Sequence, residues 1–234
     1  MPLLLGKRPP RIDKRTLKMA RYTAALPPPP PICNYPNNVK LPWGMLGNDR
    51  YGDCAFAAIG HQEQVWTAKE GRQYNPTSAA IVKAYLAYTG GTDDGSVLLD
   101  VLNRWRKTGI PASTHKIKAF AAVKPVEAEI RQAIWLFGGV YTGLSLPDYA
   151  VTGDMLATPW VSTTGAPNAA NGHCVAIVGY DATGYDCITW GQRKRIAPAF
   201  AHKYIDELYA TLDPKWGGVP GFDLAALQRD LEAL

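Results

Sequence analysis

The chain has 234 residues, of which 47% are hydrophobic and 19% are charged. This composition is typical of a globular protein with one large domain or two lobes, and it excludes a low-complexity or fibrous chain. No stretch approaches the roughly 18 consecutive apolar residues of a membrane span. The short apolar run at residues 1–5 lacks the features of a secretory signal. We therefore expect a cytoplasmic or virion-associated protein.

The formal net charge is +5, and much of the excess lies in an N-terminal arm. Its basic side chains are Lys7, Arg8, Arg11, Lys14, Arg15, Lys18 and Arg21. Such an arm can bind nucleic acid, an acidic membrane surface or an acidic partner protein, or it can be a solvated tail. It lacks the interleaved aromatic residues that favour nucleic-acid binding. The proline run at 27–31 is stiff and extended, and it either separates the arm from the body or pins the arm across the body's surface.

We divide the chain into the arm with its polyproline linker, residues 1–31, and a body, residues 32–234. Hydrophobic periodicity predicts helices at 55–69, 79–88, 96–107 and 125–136. Alternating and β-branched runs predict strands at 116–123, 138–146, 172–181, 185–191 and 203–212. Residues 223–234 read as an amphipathic C-terminal helix with Asp223 as its N-cap. The helices fall mainly at about 50–115 and the strands at about 116–215, so we expect a helical lobe followed by a β lobe.

The most informative stretch is residues 48–58, a polar loop with a glycine that runs into an apolar helix. Cys54 stands where this helix begins. Unpaired backbone N–H groups and the helix dipole favour a thiolate there, and the thiolate is the nucleophilic form. Asn48 can offer its side-chain amide to a developing oxyanion beside the N–H of Cys54. An isolated cysteine is more often a small core residue. Assigning Cys54 as a nucleophile therefore requires a second motif.

The second motif is a predicted hairpin, in which two β-rich runs flank a short Asp/Gly turn at 181–184. His173 stands at the entrance of its first strand. A cysteine early in the chain and a histidine late in it is the arrangement expected when the two meet in space as a nucleophile and its base.

Together these motifs resemble those of the papain-like cysteine peptidases. Members of that family have a glutamine, five residues and then a cysteine that opens the central helix, followed later by a histidine strand and an Asn-Ser-Trp-Gly strand. The stretch 172–180 matches the histidine strand closely, and 188–191 matches the second strand in its last two residues. The glycine turn at 90–95 and the helix at 97–109 are also similar, so the resemblance covers about 41–212. It implies an α+β fold with a helical lobe, an antiparallel β-barrel-like lobe and a cleft between them.

The resemblance implies that Cys54 is the nucleophile, His173 the base and Asn48 the oxyanion donor in place of glutamine. The third catalytic residue is less clear, because Ile188 falls where the family has asparagine. A slip of one residue brings Thr189 to the facing position, since side chains alternate along a strand. The other candidates for orienting the histidine are Asp186 and Gln192. The family's prosegment, which occludes the cleft, is commonly longer than this arm of about thirty residues, so the arm does not look like one.

The sequence thus predicts a thiol-dependent hydrolase, a cysteine peptidase or amidase, acting on a peptide or protein substrate in the cleft between the lobes. The sequence does not distinguish hydrolysis from transfer of the acyl group to an amine. The alternative is a catalytically weak or inactive structural or binding module, for example a virion or assembly component. The cysteines show no C-x-x-C pair and no histidine at metal-ligand spacing, so we expect no metal and no cofactor.

Overall fold

The structure is a computed structural model that describes residues 3–23, 26–110, 115–216 and 222–233. Within these ranges the α-helices are α1 (Cys54–Lys69), α2 (Ser78–Thr89), α3 (Leu98–Lys107), α4 (Glu127–Phe137), α5 (Pro198–Tyr204) and α6 (Leu224–Glu232). The strands are β1 (Cys33–Asn34), β2 (Ala119–Ala122), β3 (Val140–Ser145), β4 (Gly172–Asp181), β5 (Gly184–Thr189), β6 (Gln192–Ile196) and β7 (Ile205–Leu212). No helix in the described part of the chain is long and apolar enough to cross a membrane.

The helical lobe is organised around α1, which is buried along almost its whole length. Its side chains from Cys54 to Thr67 lie inside, including four polar residues in succession, His61 to Gln64. A helix that is buried all round shows no single apolar face, so the periodicity of the sequence marked only part of its buried surface. Trp66 stacks on Trp105 of α3 with ring centroids 5.5 Å apart, which fixes α3 against α1.

The β lobe is one antiparallel sheet in the order β2-β7-β3-β4-β5-β6, and β1 pairs with β4. The predicted hairpin is confirmed as β4–β5, with Asp181 paired to Gly184 at its turn. The sheet has a core on each face. Val175 and Ile177 pack with α4 and α5 on one side, whereas Tyr141 and Cys174 pack with the helical lobe on the other. The edge strands β2 and β6 do not pair in the described residues, so the sheet is open and not closed into a barrel.

The α+β arrangement of a helical lobe and an antiparallel β lobe is confirmed, with differences in individual elements. The sequence did not predict β1, β6 or α5. The strand expected from residue 116 begins at Ala119, and the strand expected from residue 203 begins at Ile205 because α5 runs to Tyr204. The C-terminal helix begins as predicted, since Asp223 accepts a hydrogen bond from the N–H of Ala226 at 2.8 Å.

The arm lies on the body. It contains a short 3₁₀ turn, Met19–Arg21. Met19 and Tyr22 are buried, and the N–H of Ala122 in β2 donates to the carbonyl of Leu17 at 2.7 Å. Of the two arrangements that the sequence allowed, the described part of the arm takes the one in which it is held across the body's surface.

Candidate active site

Cys54 is the first residue of α1, and its side chain is buried. The Cys54 thiol lies near the backbone of Cys174, on β4. Burial raises the pKa of that thiol to about 12, which outweighs the opposing effect of the neighbouring backbone N–H groups. The preceding Asp53 is also buried, and burial raises the pKa of its carboxyl to about 8. Near pH 7, therefore, the Cys54 thiol is protonated and neutral in this structure.

His173 is the second residue of β4 and is completely buried. Its Nε2 lies 2.7 Å from Oγ1 of Thr189. The Trp190 indole stacks on the imidazole with ring centroids 4.4 Å apart and planes 18° apart. Burial, with the charge of Lys194 as the smaller cause, lowers the pKa of His173 to about 3. The imidazole is therefore neutral, and the stacked ring and the threonine hydroxyl hold its plane in one orientation.

The remaining ring nitrogen of His173, Nδ1, is buried and has no hydrogen-bond partner among the described residues. The Cys54 thiol lies beside the backbone of Cys174, the residue that follows His173. The structure thus brings the start of α1 and the start of β4 together. Because the Cys54 thiol and the His173 imidazole are both neutral here, they form no ion pair in this state.

Asn48 lies in the loop before α1 and is buried. Its Nδ2 donates to the carbonyl of Tyr51 at 3.1 Å. Asp93, in the glycine turn after α2, holds the same loop by accepting a 2.9 Å bond from the Gly52 N–H. The amide of Asn48 is therefore committed to the loop in this state, and its role as oxyanion donor stays a prediction.

The candidates for the third residue occupy different surroundings. Asp186 forms ion pairs with Arg193 and Arg195, and Gln192 bonds to a backbone carbonyl. Ile188 points into a separate apolar cluster with Val65, Ala176 and Val178. Among the three polar candidates, only Thr189 has a side-chain oxygen placed at the imidazole. The alternation of side chains along β5 explains why it is Thr189, and not Ile188, that meets His173.

Replacing Thr189 with valine keeps the side-chain shape and removes the hydroxyl at His173 Nε2. We expect kcat/KM for peptide cleavage to fall about 10- to 100-fold, because a group that orients the histidine contributes less than the histidine itself. Steady-state kinetics with a cleaved peptide measures the effect. Thr189→Ser retains the hydroxyl and should keep most of the activity. Equal activity of the valine and wild-type proteins would contradict an orienting role.

A short N-terminal segment crosses the site, which the sequence did not predict. We call residues 4–8 the cleft segment. Its bonds to the loop before α1 and to the β lobe are Leu4 N to Asn48 O (3.1 Å), Trp190 Nε1 to Leu4 O (3.1 Å), Gly6 N to Gly172 O (3.2 Å) and Lys7 N to Gly172 O (3.0 Å). Those to the turn before α3 are Ser96 N to Gly6 O (2.7 Å) and Arg8 N to Ser96 O (2.8 Å). The cleft segment therefore joins the two lobes across the cleft.

The arm was expected not to resemble the family's prosegment because it is short, yet five of its residues cross the cleft. An extended chain rises about 3.3 Å per residue, so five residues span roughly 16 Å, and the length of the whole arm is not limiting. The approach is very close at Gly6, where an added Cβ would collide with the carbonyl of Gly52. A glycine between apolar and basic residues in the arm was the only sequence signal of this contact.

No protein-family model and no curated protein sequence matches the chain, whereas solved structures do. Xylellain, a cysteine protease from Xylella fastidiosa, aligns with a TM-score of 0.67 at 15% identity over 91% of this chain and 97% of its own. The proform of the ragweed cysteine protease Amb a 11 aligns with a TM-score of 0.60 at 14% identity over 85% and 74%. Digestive procathepsin L 3 of Tenebrio molitor gives 0.59 at 13% identity over 90% and 75%.

The chain therefore has the fold of the papain-like cysteine proteases. The helical lobe and the antiparallel sheet agree with that fold. At these identities the similarity establishes the fold and not an activity.

Proposed function

We propose that the protein is a thiol-dependent hydrolase, a cysteine peptidase or amidase that acts on a peptide or isopeptide bond. The observation that carries this proposal is the placement of Cys54 at the start of the central helix, beside the strand that presents His173. His173 has a threonine hydroxyl on one ring nitrogen and an unpartnered, buried second nitrogen within the described structure. This leaves Nδ1 available to accept a proton.

In the proposed mechanism the cleft segment first leaves the cleft and a substrate takes its place. His173 Nδ1 accepts the proton of the Cys54 thiol, and the thiolate attacks the carbonyl carbon of the scissile bond. The N–H of Cys54 and the Asn48 amide, released from its loop contact, hold the oxyanion. The protonated His173 then donates its proton to the leaving amine, and water, deprotonated by His173, releases the acyl group from Cys54.

Cleavage of a randomised peptide mixture, followed by mass spectrometry, tests the proposal. Wild-type protein is expected to generate new peptide termini, and Cys54→Ala is expected to generate none. Cys187→Ala is the matched control, because Cys187 is a buried cysteine on β5 in a different core. Cleavage by the Cys54→Ala protein, or no cleavage by a folded wild-type protein, would contradict the proposal.

The second candidate is a structural or binding module on the same fold, for example a virion or assembly component. The observation in its favour is that the cleft is filled by the chain's own segment while Cys54 and His173 are both neutral. A module of this kind would not cleave peptides in the experiment above. It would also show no dependence of Cys54 reactivity on His173.

A further inference from the structure

Lys7 of the cleft segment is buried, with only 1% of its side chain exposed. Its Nζ lies 2.8 Å from Oδ2 of Asp206 and 3.5 Å from Oε1 of Glu207. Lysine is almost never fully buried unless its charge is paired. The two carboxylates therefore form the floor of a pocket that receives this ammonium group.

The sheet builds this pocket through a local irregularity. Gly143 of β3 pairs with Glu207, but the next residue, Leu144, pairs with Ile205, so Asp206 is an extra residue in β7. A bulge of this kind re-aims side chains next to a site. In a regular strand the side chains of Asp206 and Glu207 would point to opposite faces, whereas here both reach the same ammonium.

Neighbouring residues keep the pocket open and hold its acids. A Cβ on Gly143 would collide with Cε of Lys7 and lie 2.6 Å from Cγ of Glu207, so only glycine leaves room for the inserted side chain. Ser145 Oγ donates to Asp206 Oδ2 at 2.6 Å, and the Tyr209 hydroxyl donates to Glu207 Oε2 at 3.0 Å. These bonds orient the carboxylates before any cation enters.

The other oxygen of Glu207, Oε1, is buried and makes no hydrogen bond within the described residues. Its side chain is 5% exposed, and it faces Lys7 Nζ. A buried carboxylate that loses its cation is costly. A peptide that displaces the cleft segment and fills the pocket with a neutral side chain would leave the buried carboxylates without a cation. A peptide with a lysine side chain would restore the ion pair.

We propose that the pocket formed by Gly143, Ser145, Asp206 and Glu207 is a specificity pocket that selects peptides carrying a lysine side chain, and that Lys7 occupies it in the closed protein. These peptides are substrates only if the proposed hydrolase function holds. The binding preference itself does not depend on catalysis. The first experiment therefore measures binding alone.

The full-length Lys7→Ala protein lacks the three methylenes and the ammonium beyond Cβ, which n-propylammonium supplies in trans. We expect millimolar n-propylammonium chloride to raise the melting temperature of Lys7→Ala, and 1-propanol at the same concentration to have a much smaller effect. The wild-type protein should respond to neither, because Lys7 fills its pocket. Adding Asp206→Asn and Glu207→Gln to Lys7→Ala should remove the response to the ammonium. Equal responses to the ammonium and the alcohol would overturn the proposal.

Peptide cleavage gives the second readout and needs no change at Lys7. Matched peptide mixtures with lysine or its neutral isostere norleucine at the varied position are offered to the full-length protein. We expect lysine peptides to be preferred by about 100-fold, because a neutral side chain leaves buried acids unpaired. The ratio should fall toward one in the Asp206→Asn, Glu207→Gln protein. Arginine accepted as well as lysine also supports a cation pocket.

The two readouts separate failure of the pocket from failure of the proposed function. Cleavage without any preference for lysine would overturn the specificity pocket while leaving the hydrolase in place. Rescue by n-propylammonium without cleavage of any peptide would leave the pocket in place and count against the hydrolase. If Lys7→Ala does not fold, the comparison of lysine and norleucine peptides alone tests whether the pocket selects lysine.

Discussion

Replacing Gly6 with alanine is expected to increase the rate of Cys54 alkylation by iodoacetamide at pH 7.5 by at least about 100-fold. A Cβ at Gly6 would collide with the backbone carbonyl of Gly52 and lie 2.6 Å from its Cα. These are backbone atoms that cannot rotate aside, so the cleft segment must leave its position. Its departure exposes Cys54 without changing any group proposed to take part in catalysis or in the lysine pocket.

The sign of the pH dependence follows from burial. In the closed protein burial raises the pKa of the Cys54 thiol to about 12, so the thiolate forms only at high pH. Exposure removes that cause, and the pKa falls toward the ~8.5 of a free thiol. A fall of about 3.5 units corresponds to a thiolate fraction roughly three thousand times larger at pH 7.5. Alkylation of Gly6→Ala should therefore begin at lower pH than alkylation of the wild-type protein.

Mass spectrometry of Cys54 after timed exposure to iodoacetamide measures both rates. Gly90→Ala is the matched control, because Gly90 lies at the end of α2 with φ 74° and a Cβ there would meet nothing within 4 Å. It carries the strain of a positive φ without contacting the cleft. If Gly90→Ala exposes Cys54 as much as Gly6→Ala does, general loss of stability is responsible. An unchanged rate in folded Gly6→Ala would show that the cleft segment does not limit access.

Local patterns in the sequence were enough to predict much of the fold and to single out Cys54 and His173 as candidate site residues. The helix that begins at Cys54 and the hairpin that presents His173 are each encoded within a few residues by periodicity and turn chemistry. The resemblance of those two motifs to one family then indicated how the lobes meet. The interactions that form these two elements are local, and the bounds of both elements differ from the prediction by at most about two residues.

The features that the sequence did not predict depend on contacts between distant residues. Lys7 and Asp206 are 199 positions apart, and no local pattern connects them. The bulge that turns both acids toward Lys7 is set by the pairing of β3 with β7. In the same way, the choice of Thr189 over Ile188 depends on which face of β5 meets His173. A strand pattern constrains that face only when its register with neighbouring strands is known.

Removing His173 from the opened protein should have the second large effect. In Gly6→Ala we expect the imidazole to become partly exposed, so its pKa should rise from about 3 toward the ~6.5 of an exposed histidine. A protonated His173 beside Cys54 then stabilises the thiolate and lowers the pKa of the thiol below ~8.5. In the Gly6→Ala, His173→Ala protein that partner is absent. We expect Cys54 alkylation at pH 6.5 to be about 100-fold slower than in Gly6→Ala, and peptide cleavage to be lost.

The full pH profile of Cys54 alkylation distinguishes this effect from a simple loss of stability. Gly6→Ala should show reaction well below pH 8, whereas the double variant should follow an ordinary thiol. His202→Ala in the same background is the control, because His202 is an exposed histidine on α5. If the profile is the same with and without His173, the two residues do not act together. The covered cleft would then be the resting state of a binding module, because a hydrolase of this kind requires that His173 make Cys54 reactive once the segment has left.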